Sequence, residues 1–309
     1  MNLKNTIFFA IIILFIFQML VTKQDTQLAE QNDKPTIALS TFSLFDIAKN
    51  ITGDTANIFM ILPFGVDAHS YEPTPKQMVQ IYKSDLVVYS GAGLEPWIDG
   101  YDFKNKTIDM SLHVKLRNLS KHSHDEHHHN KNSSNVDPHY WLDITNMIIA
   151  TEYISYELIK MYPENKELYT NNKNTYINML RKLDKNYKEK LSTCKLNTIV
   201  VNHNAFSYIA NNYDFEVEAL SGLSPEAEPS AKSMASLIEH IKEFNLKTIF
   251  FESFVSDKAI KSIAKEAKVD VEVLQPLGNI TADEAKQNLS YEDIMKSNLA
   301  KLSKALECH

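Results

Sequence analysis

The stretch PENKELYTNNKNTYINMLRKLDKNYKEKLS, from Pro163 to Ser192, decides the fold. Tyr169, Tyr176, Leu180, Leu183, Tyr187 and Leu191 recur along it at spacings of three, four and seven. Those spacings place them on one face of a helix. Pro163 marks its start. At 1.5 Å per residue such a helix is on the order of 45 Å long. That is long enough to run along two domains and join them.

On either side, short β-branched runs alternate with helical patterns. Before the helix, Thr36 to Ser40, Ala56 to Ile61 and Leu86 to Ser90 read as strands. Phe42 to Ile51 reads as a helix, and Thr74-Pro75 opens another as far as Lys83, with threonine as N-cap and proline at the first helical position. After it, strands are expected over Thr198 to Asn202, Phe215 to Ala219, Thr248 to Glu252 and Val271 to Leu274. Helices are expected over Ala205 to Tyr213, Ser230 to Phe244, Asp257 to Ala267 and Ser290 to Leu306. Such alternation builds parallel sheets covered by helices. The fold class is therefore α/β: two lobes, each a small mainly parallel sheet flanked by helices, joined by one long α-helix. The expected divisions are 35–162 for the first lobe, 163–193 for the linking helix and 194–309 for the second lobe. Ligands in such folds bind beyond the carboxyl ends of the strands.

The whole chain has 309 residues, 44% of them hydrophobic, and a formal net charge of -7. No basic stripe interleaves with aromatic residues, so nucleic acid is not an expected partner. Lys4 precedes an apolar run from Ile7 to Phe17 that extends to Val21. This run is short against the ~20 apolar residues of a membrane span. It reads as an export signal over residues 1–22, or as an uncleaved N-terminal anchor, because no clean Ala-x-Ala site follows. No cysteine follows the run either, so a lipid-anchored cysteine is not expected. The two cysteines, Cys194 and Cys308, permit one disulfide in an exported protein, with two independent thiols as the alternative.

Histidine carries the chemical signal. His122, His124, His127, His128 and His129 crowd a polar stretch over residues 120–136 that lacks apolar periodicity. A histidine-rich tract of this kind reads as an accessory metal-binding loop, since imidazole suits zinc, copper and nickel. Three other histidines stand at strand-to-helix junctions. His69 follows the second strand through Leu62-Pro-Phe-Gly-Val-Asp-Ala, His139 lies in Asp137-Pro-His-Tyr-Trp-Leu-Asp143, and His203 follows the strand beginning at Thr198. Two belong to the first lobe and one to the second, so they can meet only in the cleft. No local spacing rule joins them. A lone histidine at a helix start is more often a cap or a core residue, and both readings stand at this level. His113, His240 and His309 have ordinary surroundings.

A series of motifs decides between them. In order they are Thr41-Phe-Ser-Leu-Phe-Asp-Ile-Ala-Lys with Gly53-Asp54, Pro63-Phe-Gly-Val-Asp-Ala-His-Ser-Tyr-Glu-Pro-Thr-Pro and Ser84-Asp-Leu-Val-Val-Tyr-Ser-Gly. Asp137-Pro-His-Tyr-Trp-Leu-Asp, Asn202-His-Asn-Ala-Phe, Glu226-Ala-Glu-Pro-Ser and Phe250-Phe-Glu-Ser follow. Over residues 36 to 306 the chain resembles the solute-binding proteins of ABC-type zinc importers, whose two αβ lobes are bridged by a rigid helix. The resemblance implies that His69, His139 and His203 are metal ligands. It implies a zinc subtype, because manganese-binding relatives carry a carboxylate at the position of His203 and an aspartate in the last loop. Here that loop reads Leu274-Gln-Pro-Leu-Gly-Asn279. Three imidazoles suit zinc, whereas manganese prefers oxygen. One departure is Ala68, where some zinc members place a glutamate, which leaves the fourth position to water, chloride or the histidine-rich loop.

The resemblance further implies Zn2+ as cargo rather than catalytic cofactor, a periplasmic monomer and a membrane permease as partner. Asp137 and Asp143 are candidates to orient the rings. Affinity is expected to fall below about pH 6.5, where histidine takes up a proton. The alternatives are a manganese- or iron-binding member of the same group and a metal-dependent adhesin. A zinc hydrolase fits less well, since the chain has no His-Glu-x-x-His and no nameable general base.

Overall fold

Strand β1 (Thr36–Leu39) is buried at the centre of the first lobe. It pairs in parallel with β2 (Asn57–Met60) on one side and β3 (Leu86–Tyr89) on the other, with Ile37 opposite both Ile58 and Leu86. β4 (Lys106–Asp109) completes a parallel sheet of order β2-β1-β3-β4. The computed structural model describes residues 34–104, 106–118, 136–223, 230–252 and 258–309. The N-terminal apolar run, the histidine tract at 122–129 and most of the Glu226 motif lie outside these residues.

Helix α1 (Phe42–Thr52) follows β1, and α2 (Pro75–Lys83) precedes β3. Thr74 caps α2 as expected, its hydroxyl accepting from the Gln77 backbone in a capping box. A short antiparallel ribbon, β5 (Arg117–Asn118) with β6 (Val136–Asp137), leads to α3 (Ile144–Met161). The Asp143 carboxylate caps α3, accepting from Thr145 N at 2.7 Å.

The long helix α4 spans Lys166–Leu191, 26 residues, or ~39 Å at 1.5 Å per residue. It is slightly shorter than the sequence suggests. Pro163–Asn165 form a separate 3-10 turn, by which the chain reverses from α3 into α4. The six apolar positions expected to face inward are all buried, together with Ile177. Three of its tyrosines reach out from this face. Tyr169 pairs with the Thr55 hydroxyl at 2.8 Å, and Tyr176 donates to Asp46 of α1 at 2.7 Å. Tyr187 donates to the Met295 carbonyl of the last helix at 2.6 Å. One helix is thus fixed to both lobes. Each large buried side chain contributes ~1.5–3 kcal/mol, so Leu180→Ala in this seam is expected to cost ~2–5 kcal/mol.

In the second lobe β7 (Thr198–His203) pairs in parallel with β8 (Glu216–Ser221), and β9 (Thr248–Phe251) with β10 (Asp270–Val273). β9 packs beside β7. Helices α5 (Ser207–Asn212), α6 (Ala231–Glu243), α7 (Lys258–Ala267), α8 (Ala282–Lys286) and α9 (Tyr291–Ala305) accompany these strands. The main core runs continuously from Ile37 through Tyr187 to Leu302, and a smaller one gathers around Ile241, Ile249 and Ile263. A disulfide joins Cys194 to Cys308 and ties the end of the chain to the entry of β7.

The loop after β10 crosses to the first lobe. Phe42 N donates to Gly278 O at 3.0 Å, Gly65 N to Ile280 O at 2.9 Å, and the Trp141 indole to Pro276 O at 2.7 Å.

Candidate metal centre

The ends of β2, β6 and β7 converge at the cleft. His69 lies on the loop that leaves β2, His139 follows β6 at the start of a 3-10 turn (Tyr140–Leu142), and His203 is the last residue of β7. Residues far apart in sequence thereby meet. One ring nitrogen from each lies within 4.8 Å of the other two. Nε2 of His69 and Nε2 of His139 are 3.3 Å apart. Two nitrogens at 2.0–2.1 Å from a tetrahedral zinc are separated by about 3.3–3.4 Å, the edge of that tetrahedron. The ring centroids lie 5.2, 5.4 and 6.4 Å apart, with the His69–His203 pair the widest. The nitrogens converge without stacking of the rings.

Two rings are held from behind by carboxylates. Asp137 Oδ1 accepts from His139 Nδ1 at 2.8 Å and from His139 N at 3.0 Å. Its other oxygen accepts from the Ser207 hydroxyl. Glu252, at the end of β9, bonds the Nδ1 of His203. Both carboxylates are almost wholly buried, as are His139 and His203. A carboxylate at Nδ1 fixes the proton there and leaves Nε2 as a lone-pair donor aimed at the centre. Burial first, and then its neighbours His139 and His203, together push His69 down from 6.5 to about 2. Its ring is therefore neutral and ready to ligate at any physiological pH.

Trp141 walls the site, its indole edge-on to His139 at 5.4 Å between centroids. Gly278 lies against this indole; a Cβ there would stand 3.2 Å from the ring. Tyr291 holds the Trp141 carbonyl at 2.7 Å. Low dielectric around neutral nitrogen donors suits a borderline-soft divalent cation better than a hard one.

Of the carboxylates proposed from sequence, Asp137 orients a ring, whereas Asp143 serves α3 instead. Glu252 was missed as an orienting group. The motif Phe250-Phe-Glu-Ser was visible, and a glutamate ending a strand beside the one that carries His203 was its signal. Of the other described histidines, His113 stacks on Tyr153 at 3.6 Å, and His240 faces Glu218 at 3.5 Å.

Residues 37–305 match the family described as zinc-uptake complex component A, periplasmic. The zinc-binding lipoprotein AdcA of Streptococcus pneumoniae is 34% identical over 90% of this chain, which spans 57% of that relative's length. The high-affinity zinc uptake system protein ZnuA of Bacillus subtilis is 32% identical, with 89% of each chain covered. The crystal structure of the Zn(II)-bound ZnuA-like domain of S. pneumoniae AdcA superposes with a TM-score of 0.74 at 33% identity, covering 89% of this chain and 99% of that domain. With a family match along nearly all of the described residues, the chain belongs to the zinc-uptake complex component A (ZnuA) family.

Proposed function

We propose that this chain captures Zn2+ in the cleft through His69, His139 and His203 and delivers it to the permease of an ABC-type importer. The convergence of three imidazole nitrogens within 4.8 Å carries the reading. The neutral state of His69, the carboxylates behind the other two rings and the zinc-binding relatives support it. Zinc is cargo, held by imidazole nitrogens at ~2.0–2.1 Å. His69 and His139 belong to the first lobe (35–162) and His203 to the second (194–309), with 163–193 as the linking helix. Separating the lobes therefore breaks the ligand set, which is how a permease takes the ion. The protein works as a monomer on the periplasmic side. Among the described residues, no helix is long and apolar enough to cross a membrane.

The tract from His122 to His129 is an accessory collector that adds weaker equivalents. Titration calorimetry on the full chain tests both assignments. His139→Ala is expected to abolish tight zinc binding, and unchanged tight binding would overturn the cleft site. Deleting residues 122–129 is expected to remove weak equivalents and spare the tight one.

A further inference from the structure

Asn279 lies in the loop that follows β10 and crosses to the first lobe. Its side chain lines the same cavity as the three histidines and is 2% exposed. Yet it serves a different purpose. Nδ2 donates to Pro63 O and to Val66 O, both at 2.7 Å. Oδ1 accepts from Ile280 N at 2.8 Å. Both amide protons and the amide oxygen are thus committed. The two carbonyls fix which end of the amide is nitrogen, because only a donor fits between them.

Pro63 and Val66 belong to the loop that leaves β2 and carries His69. Gly65 of this loop also donates to Ile280 O at 2.9 Å. His69 N donates to Asp67 Oδ1 at 3.2 Å, and among the described residues the hydrogen-bonding neighbour of its ring is His139 Nε2 at 3.3 Å rather than a carboxylate. The other two histidines are oriented by buried carboxylates on their own lobes. We infer that Asn279 is the positioning residue for His69, acting across the lobes by holding the carbonyls of its loop. A carboxylate in this place would set anionic oxygen against two carbonyls at 2.7 Å, so the amide is specifically required.

This inference rests on the three-histidine reading, and the experiment separates the two. Zinc affinity is measured on the full-length protein by competition with a chromogenic chelator, for the parent, Asn279→Ala, Asn279→Asp and His139→Ala. Circular dichroism reports folding, and the d–d spectrum of the Co2+-loaded protein reports coordination geometry. Folded Asn279→Ala is expected to bind zinc at least tenfold more weakly and to show an altered Co2+ spectrum. A merely structural role would lower the melting temperature and leave that spectrum unchanged. If Asn279→Asp does not fold, Asn279→Ala alone decides. Parent-like affinity and spectrum in Asn279→Ala, with binding abolished in His139→Ala, would overturn this inference only. Parent-like binding in His139→Ala would overturn the site itself.

Discussion

Asp137→Asn separates the charge of an orienting carboxylate from its shape. Asp137 is fully buried at the base of the short ribbon. Its carboxylate receives three hydrogen bonds, two from His139 and one from Ser207. An asparagine keeps an acceptor on His139 and turns its amide towards Ser207, whose oxygen accepts as readily as it donates. Only the charge is lost. Hydrogen bonds to ionised groups contribute ~1.5–3 kcal/mol and neutral ones ~0.5–1.5. The difference of ~1–1.5 kcal/mol corresponds to roughly tenfold weaker zinc binding. Asp137→Ala removes every acceptor and leaves buried donors unpaired. Its loss belongs at the upper end of the ~10–100-fold range for outer partners of metal ligands, with ~2–5 kcal/mol of stability lost as well. Chelator competition gives the affinities, and urea unfolding of metal-free protein gives the stabilities. The reasoning is refuted if both variants fold and bind zinc like the parent. It is also refuted if asparagine is as damaging as alanine.

Other consequences concern pH, the disulfide and the spine. An unfolded His69 takes up a proton near pH 6.5, whereas burial keeps the folded ring neutral down to about 2. The unfolded state therefore binds more protons in that window, so metal-free stability is complete above pH 6.5 and is lost as pH falls below it. Thermal melts of metal-free protein should drop between pH 7 and 5, with a shallower drop in His69→Asn; equal slopes would count against it. The Cys194–Cys308 bridge closes a segment of 114 residues. On a chain-entropy argument Cys308→Ser should cost ~4–5 kcal/mol, measured by urea unfolding against the intact protein. Tyr176→Phe leaves the buried Asp46 carboxylate without its 2.7 Å donor, and the expected loss is ~1.5–3 kcal/mol by the same assay; a loss under ~0.5 kcal/mol would show that Asp46 is neutral or resolvated.

Much of the architecture was legible because local chemistry marks it. The tyrosine–leucine stripe of α4, the Thr74 cap and the β-branched runs of β1, β3 and β7 each carry their own signal. The helix expected after His139 had no legible bounds, since the buried face of α3 mixes Asn146, Thr151 and Ser155 with Met147 and Ile154. Strand β4 has a single buried apolar residue, Ile108, and the two-residue ribbon β5–β6 has no period at all. The three histidines were named by position at strand ends and by resemblance, not by spacing. The roles of Glu252 and Asn279 arise from contacts spanning 49 and more than 200 residues. Such contacts leave no trace in local pattern, and only the folded chain brings them together.

X-ray absorption at the zinc edge tests the central claim most directly. Protein lacking residues 122–129 and loaded with one equivalent of zinc is predicted to show three imidazole nitrogens at ~2.0–2.1 Å, falling to two in His203→Ala. Fewer than three imidazoles in the parent, or a shell unchanged by His203→Ala, would contradict the account.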